Sequence, residues 1–343
     1  MKPAEIWEKD SLYYFLRWYV DLCTRLSYRR FKIEGKLPSD GAVILAANHT
    51  NTLMDALVML PLRHRGIAFG ARADIFRRPA AARILHWLKI VPMVRLRDGI
   101  REVARNRDTL AEVDHILEHG MPFALFPEGR HRPMHSLLPL QKGISRIAME
   151  SAAHRPTCIV PVGIDYSAFF RYRSTCHIKL GSPIDVNAFL QEHDAQPEAE
   201  QHHLLLERIA DGIKEKILWF PADESYCESI NKLNGKRRPW QLPLAVLTFP
   251  LWLCAAVLSL PLWALAEWLC RRKIKDAAFR NTARYMVRLL ALPLWLLILA
   301  VPALILLPLW AAALLILAAA LSYSAFYDWL NLVRGPEPPC FCE

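Results

Sequence analysis

Short apolar runs, each closed by a polar turn, recur along the first two-thirds of the chain and give way to much longer apolar stretches beyond it. Ala42-Val43-Ile44-Leu45-Ala46 is continuous rather than alternating, as in a strand buried on both faces. The polar stretch Asn48–Asp55 follows, and then Ala56–Leu60, the core face of a helix. The same grammar repeats. Strands are predicted at 31–35, 42–47, 67–71, 90–94, up to Phe126, at 157–165 and at 176–181. Helices are predicted at 53–62, 75–89, 100–119, 140–153 and, after a polar linker, 204–220. Strands alternating with helices predict an α/β fold, a largely parallel sheet flanked by helices. Ahead of it, residues 6–30 place Leu12, Phe15, Leu16, Tyr19, Leu22, Cys23 and Leu26 at helical spacing among Trp18, Arg17, Arg25, Arg29 and Arg30. An aromatic, basic amphipathic helix suits a membrane interface; packing on the domain is the alternative.

Two apolar segments, 242–266 and 289–321, are long enough to enter a bilayer. Prolines at 243, 250, 261, 293, 302 and 308 interrupt them, so entry and return without crossing is expected of both, with two ordinary spans and an outside loop between them as the alternative. The predicted organisation is an interfacial helix (1–30), an α/β domain (31–220), a basic joint (221–241), a membrane helical region (242–330) and a tail (331–343).

Composition narrows the class. Hydrophobic residues make up 53% of the 343 positions, high for a soluble protein, with the excess in the C-terminal segments. A formal net charge of +10 suits nucleic acid, anionic lipid or phosphorylated substrates. No nucleic-acid-binding motif is present, which favours lipid bilayer and phosphate as partners over nucleic acid. The 8 cysteines are scattered without a Cys-x-x-Cys, as in a reducing compartment with free thiols. No signal peptide is visible at the N-terminus.

Candidate chemistry gathers at the ends of the predicted strands, the edge where open α/β sheets bind ligands. His49 leaves one strand; Arg95 and Glu128 leave two others, and Pro161 lies near the end of a fourth. A His with an Asp at the following helix start can serve as a base with its orienting carboxylate. Thr52 and Asp55 also fit a capping box, which would make His49 incidental. Glu128 opens Glu128-Gly129-Arg130-His131-Arg132-Pro133, and Lys142 and Gly143 begin a helix downstream.

Over residues 30–185 these motifs resemble the glycerolipid acyltransferase (lysophosphatidic acid acyltransferase, PlsC-like) family, which joins a His–Asp motif to Phe-Pro-Glu-Gly and a later Lys-Gly helix. The resemblance implies His49 and Asp55 as catalytic pair and Arg95, Glu128, Gly129, Arg130, Arg132 and Lys142 as substrate-binding residues. Glu128 also reads as a structural carboxylate tying down the Arg-rich loop, and Lys142 as a solvated helix start. Two departures stand out. The family usually has four residues between His and Asp, and here there are five, a difference of about 100° around the helix unless the turn absorbs it. Arg130-His131-Arg132-Pro133 resembles the corresponding segment of soluble plant glycerol-3-phosphate acyltransferases, whose arginines hold the acceptor phosphate.

The function this implies is membrane-bound acyl transfer from acyl-CoA or acyl-carrier protein to a glycerol-phosphate or lysophospholipid hydroxyl, 1-acyl-glycerol-3-phosphate foremost. No cofactor or metal is called for, and the catalytic domain is expected on the cytoplasmic face. Glycerol-3-phosphate acylation, aminoacyl-lipid acylation and phospholipid transacylation are the alternatives within the fold. A non-catalytic lipid-binding scaffold is the alternative outside catalysis. The basic stretch 271–288 is expected on the same face as the catalytic domain.

Overall fold

The computed structural model describes residues 11–64, 66–93, 102–234 and 238–335. Its centre is an eight-stranded sheet. Strands β1 (Arg30–Glu34), β2 (Ala42–Ala47), β3 (Ala68–Arg72), β4 (Ile90–Met93), β5 (Phe123–Leu125), β6 (Thr157–Tyr166) and β7 (Thr175–Leu180) lie in the order β1-β7-β6-β2-β5-β3-β4. The short β8 (Ile184–Asp185), which the apolar pattern does not announce, pairs with β6. From β6 to β4 all pairings are parallel; β7 runs antiparallel to β6 and carries β1 parallel to itself.

β2 shows why its apolar run is unbroken. All six residues are buried. Side chains alternate across a strand, so Val43, Leu45 and Ala47 enter one core and Ala42, Ile44 and Ala46 the other. The second core is closed by α4 (Glu102–Glu118), α5 (Gly143–Ala152), α6 (Val186–Glu192) and α7 (Glu198–Lys214). The first is closed by α1 (Ser11–Leu26), α2 (Leu53–Met59) and residues from the C-terminal helices, among them Leu262, Tyr285 and Tyr323. The remaining domain helix, α3 (Pro79–Trp87), lies between β3 and β4. α7 starts earlier than its apolar spacing predicts, because Pro197 and the first-turn Glu198 and Glu200 favour a helix N-terminus there.

The C-terminal region departs further from expectation. After α8 (Tyr226–Asn234), α9 (Gln241–Arg272) runs unbroken through Pro250 and Pro261. An interior proline removes one helical hydrogen bond without having to end the helix, so the expected entry and return within the first segment is not present. The second expected segment is two helices. α10 (Arg280–Met286), a π-helical stretch (Val287–Ala291) and α11 (Leu292–Leu306) lead to Leu307, whose extended backbone before Pro308 stops the helix, and α12 (Leu309–Arg334) follows. Gln241–Arg272, Ala277–Leu306 and Leu309–Arg334 are each long and apolar enough to cross a membrane. Cys23, Cys158, Cys176, Cys254 and Cys270 are free thiols. Cys227 is disulfide-bonded, contrary to the expectation of free thiols throughout.

Candidate active site

β2 ends because a side chain takes over its pairing. The Asn48 amide donates to Ile164 O (3.0 Å) and accepts from Ile164 N (2.7 Å), as a further peptide group of the ladder would. The backbone is then free to turn, and His49 stands just beyond the strand with its ring stacked on Phe126 from the end of β5, 4.3 Å between centroids.

Asp55 governs the turn. Its carboxylate is fully buried. Oδ2 pairs with His49 Nδ1 (2.7 Å) and accepts from the N–H of Thr50 (2.8 Å) and Asn51 (2.7 Å). Oδ1 accepts from the hydroxyl of Tyr166 (2.8 Å), the last residue of β6. Three neutral donors and the imidazole offset the desolvation of a buried carboxylate. Burial and the Asp55 charge push the Tyr166 phenol well above its ordinary range, so it stays a donor.

The capping box is not formed. Thr52 precedes α2 with φ 48° and makes no side-chain cap; its hydroxyl lies 3.3 Å from Thr282 Oγ1 instead. That backbone conformation, rare for a β-branched residue, accommodates the five-residue spacing and keeps Asp55 facing His49.

The second motif grips the first. Glu128 is buried, and its two oxygens accept from His49 N (2.7 Å) and Leu138 N (2.9 Å). Burial pushes its carboxyl up to about 7, against the opposing pull of those two N–H groups. Its side chain thus spans from the His49 turn to the far end of the Arg-rich loop. Gly129, at φ +68°, closes a turn by donating its N–H to Phe126 O (3.0 Å). Arg132 N donates to His49 O (2.9 Å), its Nη2 to Ser136 Oγ (2.9 Å), and its buried Nε has no partner. Arg130 is exposed without a side-chain partner among the described residues. Lys142 is exposed immediately before α5, and Gln141 N→Pro127 O (2.8 Å) ties that helix start to the motif. Arg95 lies outside the described residues. Pro161 is interior to β6, with its carbonyl taken by Gly181 N (2.7 Å), so it supplies no turn at the site.

A third contributor comes from the C-terminal region. Between α9 and α10, Asp276 Oδ2 lies 3.0 Å from His131 Nε2, and the ring of Phe279 meets His131 edge to face at 5.7 Å. The His131 ring stands 5.8 Å from that of His49, nearly perpendicular. Asn281 Nδ2→Phe169 O (2.6 Å) and Arg284 Nη1→Phe170 O (3.0 Å) fasten the segment to the α/β domain. The sequence reading missed Tyr166 and Asp276. A polar aromatic closing an apolar strand on the site's edge was a readable signal for the first; nothing local marks the second.

The model of the acyltransferase family matches residues 29–165, from β1 to the end of β6. An uncharacterized acyltransferase of Schizosaccharomyces pombe is 30% identical over 106 residues, 30% of this chain and 16% of that protein. Glycerol-3-phosphate O-acyltransferases 2 and 1 of Saccharomyces cerevisiae are 30% and 29% identical over 112 and 138 residues, covering 15% and 18% of their length. The chain therefore spans less than a fifth of each of these relatives. A solved structure, the 1-acyl-sn-glycerophosphate acyltransferase PlsC of Thermotoga maritima, aligns over 60% of this chain and 79% of its own, with TM-score 0.43 and 22% identity. The part of the α/β domain that carries the His49–Asp55 turn and Glu128 is thus similar to the acyltransferase family over residues 29–165.

Proposed function

We propose that this protein moves an acyl group from a thioester, acyl-CoA or acyl-carrier protein, to a hydroxyl of a glycerol phosphate, converting 1-acyl-glycerol-3-phosphate to phosphatidic acid. The observation that carries this reading is the His49 Nδ1···Asp55 Oδ2 contact at 2.7 Å on a carboxylate anchored by two backbone N–H groups and Tyr166. It leaves Nε2 to receive a proton. In the forward step Nε2 takes the acceptor's hydroxyl proton as the oxygen forms its bond to the thioester carbon. The C–S bond then breaks, and the leaving thiolate receives that proton from the His49 imidazolium. Asp55 stabilises the charged ring in between. Arg130 and Arg132, carried by a loop that bonds to the His49 carbonyl, hold the acceptor phosphate. Glu128 acts by holding the loop and the turn in register, since both its oxygens are already engaged.

Glycerol-3-phosphate itself is the second reading, favoured by the two yeast relatives of that name. An acceptor panel with one labelled acyl-CoA separates the two. Equal use of a phosphate-free acceptor would overturn both and favour an aminoacyl-lipid acceptor; His49-independent binding without transfer would leave a scaffold.

The same reading covers placement. We take the division at 1–30, 31–220, 221–241, 242–330 and 331–343 as working units, with 242–330 in the bilayer and the catalytic domain on the cytoplasmic face. The bonds of Asp276, Asn281 and Arg284 to the α/β domain support a connector on the domain's side of the membrane, a placement that requires the unbroken α9, whose other end follows the domain-bound α8, to lie in the membrane without crossing it. In a variant cleared of native thiols and carrying Lys275→Cys, a membrane-impermeant reagent should label only after lysis of the cells. Labelling of intact cells would overturn the cytoplasmic placement.

A further inference from the structure

The connector between the first two long apolar helices reaches the catalytic turn, yet its most conspicuous contact there is not what holds it. The side chains of His131 and Asp276 are 30% and 53% exposed, and ion pairs so exposed contribute little to stability. Docking is secured elsewhere. Asn281 is buried against Phe169 O, Arg284 is paired with both Phe170 O and Glu267, and Thr52 meets Ala278 O and Thr282. Asp276 is itself fixed, because its Oδ1 accepts from Ala278 N (2.9 Å) at the start of the turn Ala277–Phe279. Its Oδ2 therefore presents a rigid acceptor to one edge of the His131 ring, while Phe279 covers that ring from the side. The opposite edge, Nδ1, has no partner among the described residues. It belongs to the residue between Arg130 and Arg132, beside His49.

Resting on the acyl-transfer reading above, we propose that His131 is a phosphate-contacting residue of the acceptor site and that Asp276, from the membrane region, is its positioning residue. With Asp276 at Nε2 and an acceptor phosphate at Nδ1, the imidazole has an anion on each side and binds as a double donor. The acceptor site is then completed by a segment outside the α/β domain, and the seating of the apolar helices sets acceptor affinity. A positioning role lowers affinity for the phosphate without touching proton transfer at His49, so it separates KM from kcat.

The test uses full-length protein in phosphatidylcholine vesicles, with labelled acyl-CoA and 1-acyl-glycerol-3-phosphate. Asp276→Asn and His131→Gln should each raise the acceptor KM about 5- to 20-fold, the scale of one charge-assisted hydrogen bond, with donor KM and kcat held within about twofold. The double variant should be no worse than His131→Gln alone, because Asp276 acts through that ring. Asp276→Glu, able to keep the bond, should recover most of the loss, which guards against a simple folding defect. An unchanged acceptor KM in Asp276→Asn, or additive effects in the double variant, overturns the proposal while His49-dependent transfer by the wild type leaves the acyl-transfer reading standing. Absence of any transfer by the wild type ends both.

Discussion

The turn Asn48–Asp55 and the connector Asp276–Arg288 meet at His131, and they are held there in different ways. In the turn, one buried carboxylate gathers the imidazole and two N–H groups from within six residues of itself, and only Tyr166 comes from afar. The connector has no such local centre. Among its anchors on the α/β domain are bonds from Asn281, Arg284 and Arg288 to Phe169, Phe170 and Tyr172, each more than 100 residues away in sequence. A locally closed device keeps its shape when its surroundings move; a remotely anchored one reports the position of what it is attached to. The first is suited to proton transfer, which needs fixed geometry, and the second to linking a membrane segment to the site.

The largest expected effect attacks the turn. His49→Ala should lower kcat by about 10²–10⁴ in a folded protein, the usual contribution of a general base; Asp55→Asn should lower it less. Normal saturated activity in His49→Ala would remove the base from the mechanism. Next, Arg130→Ala and Arg132→Ala should raise the acceptor KM by about 10-fold or more while sparing the donor KM, as expected when a phosphate loses a charged partner. Steady-state kinetics with both substrates varied decides this.

Tyr166→Phe sharpens the comparison, because it cuts the remote bond to the Asp55 carboxylate. Losing a hydrogen bond to a buried carboxylate should cost about 1.5–3 kcal/mol of stability, and kcat should fall by about 3- to 10-fold, roughly the rate equivalent of 0.7–1.4 kcal/mol. A thermal melt and kcat measured on the same preparation would show whether local closure suffices without it.

Glu128 gives a smaller, pH-dependent effect. Burial pushes its carboxyl from the ordinary carboxylate range up to about 7, so the folded protein holds an extra proton between the two. Its contribution to stability is present below the unfolded value and is lost as pH rises through about 7. In Glu128→Gln this term vanishes. The difference in Tm, wild type minus variant, should therefore shrink as pH rises from 5 to 7. A constant difference would contradict the raised value. The smallest effect belongs to the outward faces of the apolar helices: Leu297→Ala or Ile305→Ala, both exposed, should change activity by no more than about twofold.

Most of the sheet was legible because burial on both faces demands an uninterrupted apolar run, and β2 fell on the residues its sequence predicts. His49 and Asp55 were legible for the same reason: the strand's end places the one, and the helix start the other. The capping box failed because Asp55 had better donors than the N-cap position, and Thr52 adopted a strained backbone that pattern alone does not suggest. The apolar helices were legible as apolar, but not as three. A hydropathy profile registers composition, whereas only backbone geometry tells Pro250 and Pro261, accommodated within α9, from Pro308, which follows a break. Asp276 was invisible because its meaning lies in a partner 145 residues away.

Asn48 has a consequence for how the protein comes to be active. Its amide stands in for a rung between β2 and β6, and that rung joins residues 116 positions apart; Tyr166 reaches Asp55 across 111. Contacts closed over such separations form slowly, after local helices and turns. On refolding, the far-ultraviolet signal should recover well before acyl transfer does, and the lag should lengthen in Asn48→Ala. The proposed acyl transfer would then be a clock for the moment β2 and β6 have met.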